Sequence, residues 1–302
     1  MKANVLVTGA SGQLGTELRM VHSSLEGCSF FFTDIELDIT DADAVISFVG
    51  QNHIDIIVNC AAYTNVDKAE DDFEKADLIN NKGVANLASA AKQAGASLIH
   101  ISTDYVFGGE GNVPYTEQMP VKPLGVYGVT KLSGENAIKS VMGEDGDFVI
   151  LRTAWLYSPY GNNFMKTMLR LTAERENINV VFDQVGTPTY AADLAQVILE
   201  CIRRMADCEQ ADGKQTDKLQ GIYHFSNEGV CSWYDFALEI AKLSGHNNCK
   251  ISPCHSDEFP SKVRRPSYSV LDKTKIKQAL GIEIPHWKES LERCLERCYL
   301  DY

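Results

Sequence analysis

The sequence predicts an α/β fold, a doubly wound parallel sheet flanked by helices, followed by a smaller C-terminal substrate-binding lobe. Two observations carry that expectation. Short apolar runs alternate with helix-period segments through residues 1–155, and strands alternating with helices imply parallel strands joined by crossover helices. A glycine-rich turn, Gly9-Ala10-Ser11-Gly12-Gln13-Leu14-Gly15, joins the first apolar run to the first helical one. The 302 residues, 44% of them hydrophobic, are enough to bury a core of that size.

The elements follow in order. Residues 4–8 read as a strand and 12–22 as a helix. Residues 30–33 form a second strand ending at Asp34, and 41–51 a helix with Thr40 placed to cap it. Residues 55–59 give a third strand. Residues 76–94 form a long helix that Gly95 stops, because glycine readily takes the left-handed conformation after a last turn. Residues 97–101, 127–140 and 148–152 read as strand, helix and strand. Beyond Trp155 the pattern is less regular. Residues 191–205 have an amphipathic helical period, 207–218 are polar and read as an exposed loop, and 223–225 suit a strand. Ser232 then caps a helix through Leu243, with Asp235 three residues on and Gly245 at its end. The lobe boundary is placed at 155/156, with segments of about residues 190–225 returning to the first domain.

Composition excludes several classes. A formal net charge of -13 argues against a nucleic-acid partner, which needs a basic face. No apolar run reaches the ~20 residues of a membrane helix, and the first residues do not resemble a signal peptide. Nine cysteines without a Cys-x-x-Cys pair suit reduced thiols and a cytoplasmic location. Cys249, Cys254 and His255 match no standard zinc spacing, so no metal ligands are assigned.

The glycine turn sits at the first βα junction, the context in which it signals a Rossmann-type dinucleotide site. Glycine allows the tight turn and close approach of a pyrophosphate, and the helix N-terminus supplies oriented N–H groups. Gly9, Ser11, Gly12, Gln13 and Leu14 are the candidate contacts. Asp34 ends the second strand, where a carboxylate accepts hydrogen bonds from an adenosine ribose. It would repel a 2′-phosphate, and no Arg or Lys follows in Ile35-Glu36-Leu37-Asp38, so NADH is favoured over NADPH.

Tyr127 and Lys131 stand four residues apart and share a helix face. A cation beside a phenol favours the phenolate and brings proton transfer closer to neutral pH. The spacing alone occurs by chance in a chain with twelve tyrosines, so context decides. Upstream, Ile99-His100-Ile101-Ser102-Thr103-Asp104 is a strand running into hydroxyl residues. Thr103 there can bond a substrate oxygen or the Tyr127 hydroxyl, or cap a turn. Asp104 can bind a substrate hydroxyl or cap the same turn.

These residues resemble the dTDP-4-dehydrorhamnose reductase family of extended short-chain dehydrogenases. The resemblance rests on Val58-Asn59-Cys60-Ala61-Ala62-Tyr63-Thr64-Asn65-Val66-Asp67-Lys68-Ala69-Glu70, Ser102-Thr103-Asp104-Tyr105-Val106-Phe107 and Tyr127-Gly128-Val129-Thr130-Lys131-Leu132-Ser133-Gly134-Glu135. Arg152-Thr153-Ala154-Trp155-Leu156-Tyr157, Gly161-Asn162-Asn163-Phe164, Asp183-Gln184-Val185-Gly186-Thr187-Pro188-Thr189 and Arg264-Arg265-Pro266 extend it over nearly the whole chain. It implies reduction of the C4 keto group of dTDP-4-dehydro-L-rhamnose, with Tyr127 as acid, Lys131 as its tuner and ribose ligand, and Thr103 beside the reacting oxygen. It also implies a cofactor wall of Ser11, Gly12, Gln13, Asp34, Asp38, Ile39, Ala61, Ala62, Tyr63 and Thr64. Thr103, Asp104, Trp155, Asn163 and Arg264 would meet the nucleotide sugar, with Arg264 and Arg265 either as phosphate ligands or as surface ion-pair partners. Trp155 could equally be a lobe-interface aromatic. A homodimer and Mg2+ enter only through the resemblance. Tyr63 and Cys60 depart from it, since some relatives carry His and Ala there.

Two alternatives stay open. An epimerase of the same superfamily would recycle its nicotinamide and need no added reductant. A non-catalytic subunit resembling the methionine adenosyltransferase beta subunit would have no need of Thr103, Tyr127 and Lys131 together. A 4,6-dehydratase is disfavoured because Tyr105, not Glu, follows Asp104.

Overall fold

The computed structural model describes residues 3–143, 146–207, 219–259 and 262–300. Its first half alternates as the pattern implies: β1 (Ala3–Thr8), α1 (Gln13–Val21), β2 (Cys28–Phe32), α2 (Ala42–Gln51) and β3 (Ile56–Asn59). A helical run follows as α3 (Val66–Ala69), α4 (Phe73–Asp77), a π-helical stretch (Leu78–Gly83) and α5 (Val84–Ala94). Then come β4 (Ser97–Thr103), α6 (Val126–Met142) and β5 (Phe148–Thr153).

The second half is built from shorter pieces. These are β6 (Leu156–Tyr157), α7 (Phe164–Glu174), β7 (Asn177–Val181), β8 (Val185–Gly186), β9 (Thr189–Tyr190) and α8 (Ala191–Asp207). They continue as β10 (Gly221–His224), β11 (Cys231–Ser232), α9 (Trp233–Leu243), β12 (Lys250–Cys254), α10 (Thr274–Leu280) and α11 (Trp287–Leu300).

Six strands form one sheet in the order β10-β5-β4-β3-β1-β2, and every pairing in it is parallel. Because helices cover both faces, its inner strands are buried on both sides rather than on alternate residues: Val5, Leu6 and Val7 are wholly buried. Leu14, Leu18, Leu194, Ile198 and Ile202 pack on one face, and Val45, Val49, Leu87 and Ile138 on the other. The winding direction reverses at β1, which lies between β2 and β3. Such a reversal opens a crevice beyond the C-terminal strand ends, and the glycine turn, Cys60–Thr64 and Thr103 all lie there.

A third core joins the second lobe, with Met165, Phe236, Trp287 and Leu291 at its centre. Around it stand three two-stranded sheets: β7 with β12, β8 with β11, and β6 with β9. The segment 190–225 supplies α8 against α1's face of the large sheet and β10 at its edge. Residues 208–218, most of the stretch read as an exposed loop, lie outside the described residues, and Asp207 belongs to α8.

Three local expectations need correction. The cap of α2 is Asp41, whose carboxylate accepts the Ala44 N–H at 3.0 Å; Thr40 instead donates to Asp38 at 2.8 Å. The first helix starts at Gln13, with Gly12 as its cap. The long helix before Gly95 is not uniform, since Leu78–Gly83 is π-helical. This insertion brings Asn80 inward, where its side chain accepts the Tyr63 N–H at 2.9 Å and donates to the Tyr63 carbonyl at 3.1 Å. Gly95 stops α5 as expected, at φ 68°. Ser232 and Asp235 form the expected reciprocal cap on α9.

Candidate active site

A cleft of about 1190 Å³ runs along the C-terminal edge of the large sheet and continues between the lobes. One wall carries the glycine turn. Gly9 has φ +66°, and a Cβ there would lie 2.5 Å from the Ala61 backbone nitrogen, so only glycine fits. A Cβ on Gly15 would collide with Ala10 Cα at 2.5 Å, so this glycine lets α1 sit close to its strand. Gly12 caps α1 without any side-chain bond, leaving first-turn N–H groups facing the cleft. That arrangement suits a pyrophosphate. Asp34 accepts the Ser11 N–H at 2.8 Å and lines the cleft together with Asp38, Ile39, Ala61, Ala62 and Thr64.

The chemistry-bearing side chains converge in mid-cleft from β4 and α6. Thr103 ends β4 and is 4% exposed; its hydroxyl donates to Asp104 Oδ1 at 3.0 Å and is a hydrogen-bonding neighbour of the Tyr127 phenol. Asp104 opens a 3-10 turn and is also buried. Burial pushes its carboxyl up to about 7, with Thr103 and Ser269 pulling it back. Burial also raises the Tyr127 phenol above its ordinary value, with Thr103 pulling it back and Asp104 and Tyr105 adding to the rise. Lys131 does not pair directly with Tyr127: its ammonium nitrogen lies 2.6 Å from the Ile101 carbonyl and 3.3 Å from His100 Nε2. Burial draws Lys131 down to about 8, against the opposing pull of Glu135 and Cys60.

This centre is braced from behind. Glu135, on α6, takes two bonds from Arg152 of β5, at 2.8 and 2.6 Å, and one from Ser102 at 2.6 Å. The pair is fully dry, with side-chain exposures of 2% for Arg152 and 0% for Glu135. It fixes α6, and therefore Tyr127 and Lys131, against the sheet.

The opposite wall is aromatic. Trp155 adopts φ 49°, unusual for a bulky residue, and stacks on Trp233 at 3.6 Å. Phe164, Met168, Ile178, Gln184 and Phe259 extend this wall. Arg265 also lines it, paired with Asp67 at 3.0 Å.

Most of the candidate residues therefore share one cleft, and four do not line it. Arg264 is exposed and turned away; its neighbour Arg265 occupies the cleft wall instead. Asn163 caps α7 through a 3.0 Å bond from the Lys166 N–H, and its amide braces Gln13 at 2.9 Å. Ser11 sits outside the cleft with its N–H held by Asp34, and the Tyr63 backbone is held by Asn80. The Glu135–Arg152 brace had no reading from sequence. Its signal was an acid and an arginine inside otherwise apolar or catalytic segments. The α7 and β7 lining had none, because those elements are short and closed by long-range contacts.

Mg2+ does not fit the residues present. Outside the cleft, burial raises the Glu17 carboxyl, with nearby Asp193 adding to the rise, and each of the two carboxylates is paired with an arginine. Arg297 donates to Glu17 at 2.8 Å, and Arg293 to Asp193 at 2.7 and 2.9 Å. Among the described residues no group of three or more His, Cys, Asp or Glu side chains could hold a metal ion. Nor is any described helix long and apolar enough to cross a membrane.

A glycine turn facing Thr103, Tyr127 and Lys131 across one cleft is the arrangement of a nicotinamide-dependent enzyme of the extended short-chain dehydrogenase class. Comparison with known proteins narrows the class. The family model described as RmlD substrate binding domain matches residues 1–300. The chain is 39% identical over 298 residues to dTDP-4-dehydrorhamnose reductase of Aggregatibacter actinomycetemcomitans, covering 96% of this chain and 97% of that protein. It superposes on a dTDP-4-dehydrorhamnose reductase from Clostridium acetobutylicum with a TM-score of 0.88 and 41% identity, over 99% of this chain and 100% of the other. The Bacillus anthracis enzyme in complex with NADP gives 0.89 and 39%, over 98% and 100%. The chain belongs to the dTDP-4-dehydrorhamnose reductase family.

Proposed function

We propose that this protein reduces the C4 keto group of dTDP-4-dehydro-L-rhamnose to give dTDP-L-rhamnose, using NAD(P)H. The observation that carries the reading is the placement of Thr103, Asp104 and Tyr127 in mid-cleft, between the glycine wall and the Trp155 wall. The bound nicotinamide supplies the hydride. As C4 becomes tetrahedral, charge develops on its oxygen. Tyr127 gives that oxygen a proton, and Thr103 holds the phenol and the reacting oxygen together. Lys131 steadies the phenolate that remains. Asp104, which lines the cleft beside Thr103, offers its carboxyl to a sugar hydroxyl. Trp155 backs the sugar, and Arg265 takes a diphosphate oxygen in exchange for Asp67.

Asp34 supports NADH as the better donor, because its carboxylate occupies the region a 2′-phosphate would enter. The protein acts on a small nucleotide sugar, and the resemblance supports a homodimer.

The test uses nicotinamide deuterated at C4. Product deuterated at sugar C4, formed one for one with oxidised nicotinamide, is the expected result. Deuterium retained on the cofactor, with no net oxidation, would instead mark an epimerase.

A further inference from the structure

His100 lies in the middle of β4 between Ile99 and Ile101, wholly buried, and no step described above uses it. It stands behind Lys131 in a line of short contacts. Asn59, at the end of β3, places Nδ2 3.0 Å from His100 Nδ1, and His100 Nε2 is 3.3 Å from Lys131 Nζ.

The hydrogens in this line are not free to choose. The Ala61 backbone N–H, which can only donate, points at Asn59 Oδ1 from 3.0 Å; Thr8 Oγ1 also bonds that oxygen, at 2.8 Å. The amide orientation is thereby set, and its NH2 group faces His100. Asn59 must donate, so His100 Nδ1 must accept and carries no proton. A neutral imidazole then bears its hydrogen on Nε2, directed at Lys131. Burial, with Lys131 adding to it, holds His100 well below its ordinary proton affinity, so it stays neutral.

An N–H aimed at Nζ suits a neutral amine. One Lys131 hydrogen goes to the Ile101 carbonyl at 2.6 Å, one faces the cleft, and the lone pair accepts from His100. An ammonium has no lone pair and would set its third N–H against that of His100. The other titratable groups acting on Lys131 are Glu135 from α6 and Cys60 after β3; both favour the ammonium, but Glu135 is already committed to Arg152.

We infer that Asn59 locks His100 in its Nε2-protonated tautomer, and that His100 is thereby a positioning residue which disfavours the ammonium form of Lys131. The Asn59 amide cannot pass a proton on, so this line sets charge and does not conduct. Lys131 therefore exchanges its proton through the cleft. The cation that steadies the Tyr127 phenolate is lost at a lower pH than an ordinary lysine would allow. The consequence for activity rests on the proposed reductase chemistry; the tautomer does not.

Two measurements decide it. In the wild-type full chain, 15N NMR of His100, assigned by through-bond correlation, should show protonated Nε2 and unprotonated Nδ1 throughout roughly pH 6 to 9. A proton on Nδ1 overturns the inference, whatever the substrate proves to be. Separately, His100→Phe removes the opposing N–H. The alkaline limb of its kcat/KM profile should move up by about one pH unit or more. A lower kcat with the limb unmoved would reduce His100 to a packing residue and overturn its role on Lys131. If His100→Phe does not fold, the wild-type tautomer still tests the lock.

Discussion

The two walls of the cleft are built by different physics. The proposed cofactor wall is backbone: a positive-φ glycine, an open helix N-terminus and a strand-end carboxylate, all hung on parallel strands paired to immediate neighbours. The substrate wall is side chain: stacked tryptophans, a lone arginine and the edges of two-stranded sheets, gathered from segments far apart in sequence. A backbone wall recognises what every dinucleotide shares, whereas a side-chain wall can change its ligand by substitution. Between them stand Thr103, Tyr127 and Lys131, the proposed catalytic group, on β4 and α6, with α6 held to the sheet by one dry ion pair. Damage to each region should therefore leave a different signature.

The largest effect belongs to the middle. Tyr127→Phe removes the proton donor and keeps both walls, so kcat should fall by roughly 10²–10⁴-fold while nicotinamide binding, followed by fluorescence titration, stays near wild type. If turnover persists, the chemistry has been placed on the wrong residue. Next comes the brace. Glu135→Gln leaves a buried guanidinium without its counter-charge, a loss of about 3–5 kcal/mol in denaturant unfolding. An unchanged midpoint would show that the pair does not hold α6 in place.

The walls themselves give smaller and opposite effects. Trp155→Ala should raise KM for the nucleotide sugar about tenfold, or ~1.4 kcal/mol, with the nicotinamide Kd unmoved. A change in both constants would mean the walls are not independent. Asp34→Ser should shift the ratio of NADPH to NADH efficiency several-fold to roughly tenfold toward NADPH, without affecting sugar KM. A constant ratio would remove Asp34 from cofactor choice.

The same contrast explains what could be read from sequence. Parallel strands buried on both faces and amphipathic crossover helices leave local periodic marks, so the large sheet and its glycine turn were legible. The Leu78–Gly83 π-helix was not, because one inserted residue leaves no composition signal and is held by Asn80 reaching back to Tyr63. The sequence places Thr40 as the cap of α2, but Asp38 engages the Thr40 hydroxyl and Asp41 takes the capping role. Arg264 and Arg265 are the same residue type side by side; Arg265 pairs with Asp67 on the cleft wall while Arg264 is exposed, a difference that residue type does not carry. Asn163 carried a family pattern whose local work is capping α7 and bracing Gln13. His100 was visible as a polar residue inside an apolar run, but its partners come from β3 and α6.

The central claim is that the two walls bring a nicotinamide and a keto sugar to Tyr127. The most direct test follows nicotinamide absorbance with purified protein, dTDP-4-dehydro-L-rhamnose, and NADH or NADPH in parallel. Sugar-dependent oxidation, faster with NADH, is the predicted result. Tight binding of either cofactor with no oxidation in the presence of the sugar would contradict it.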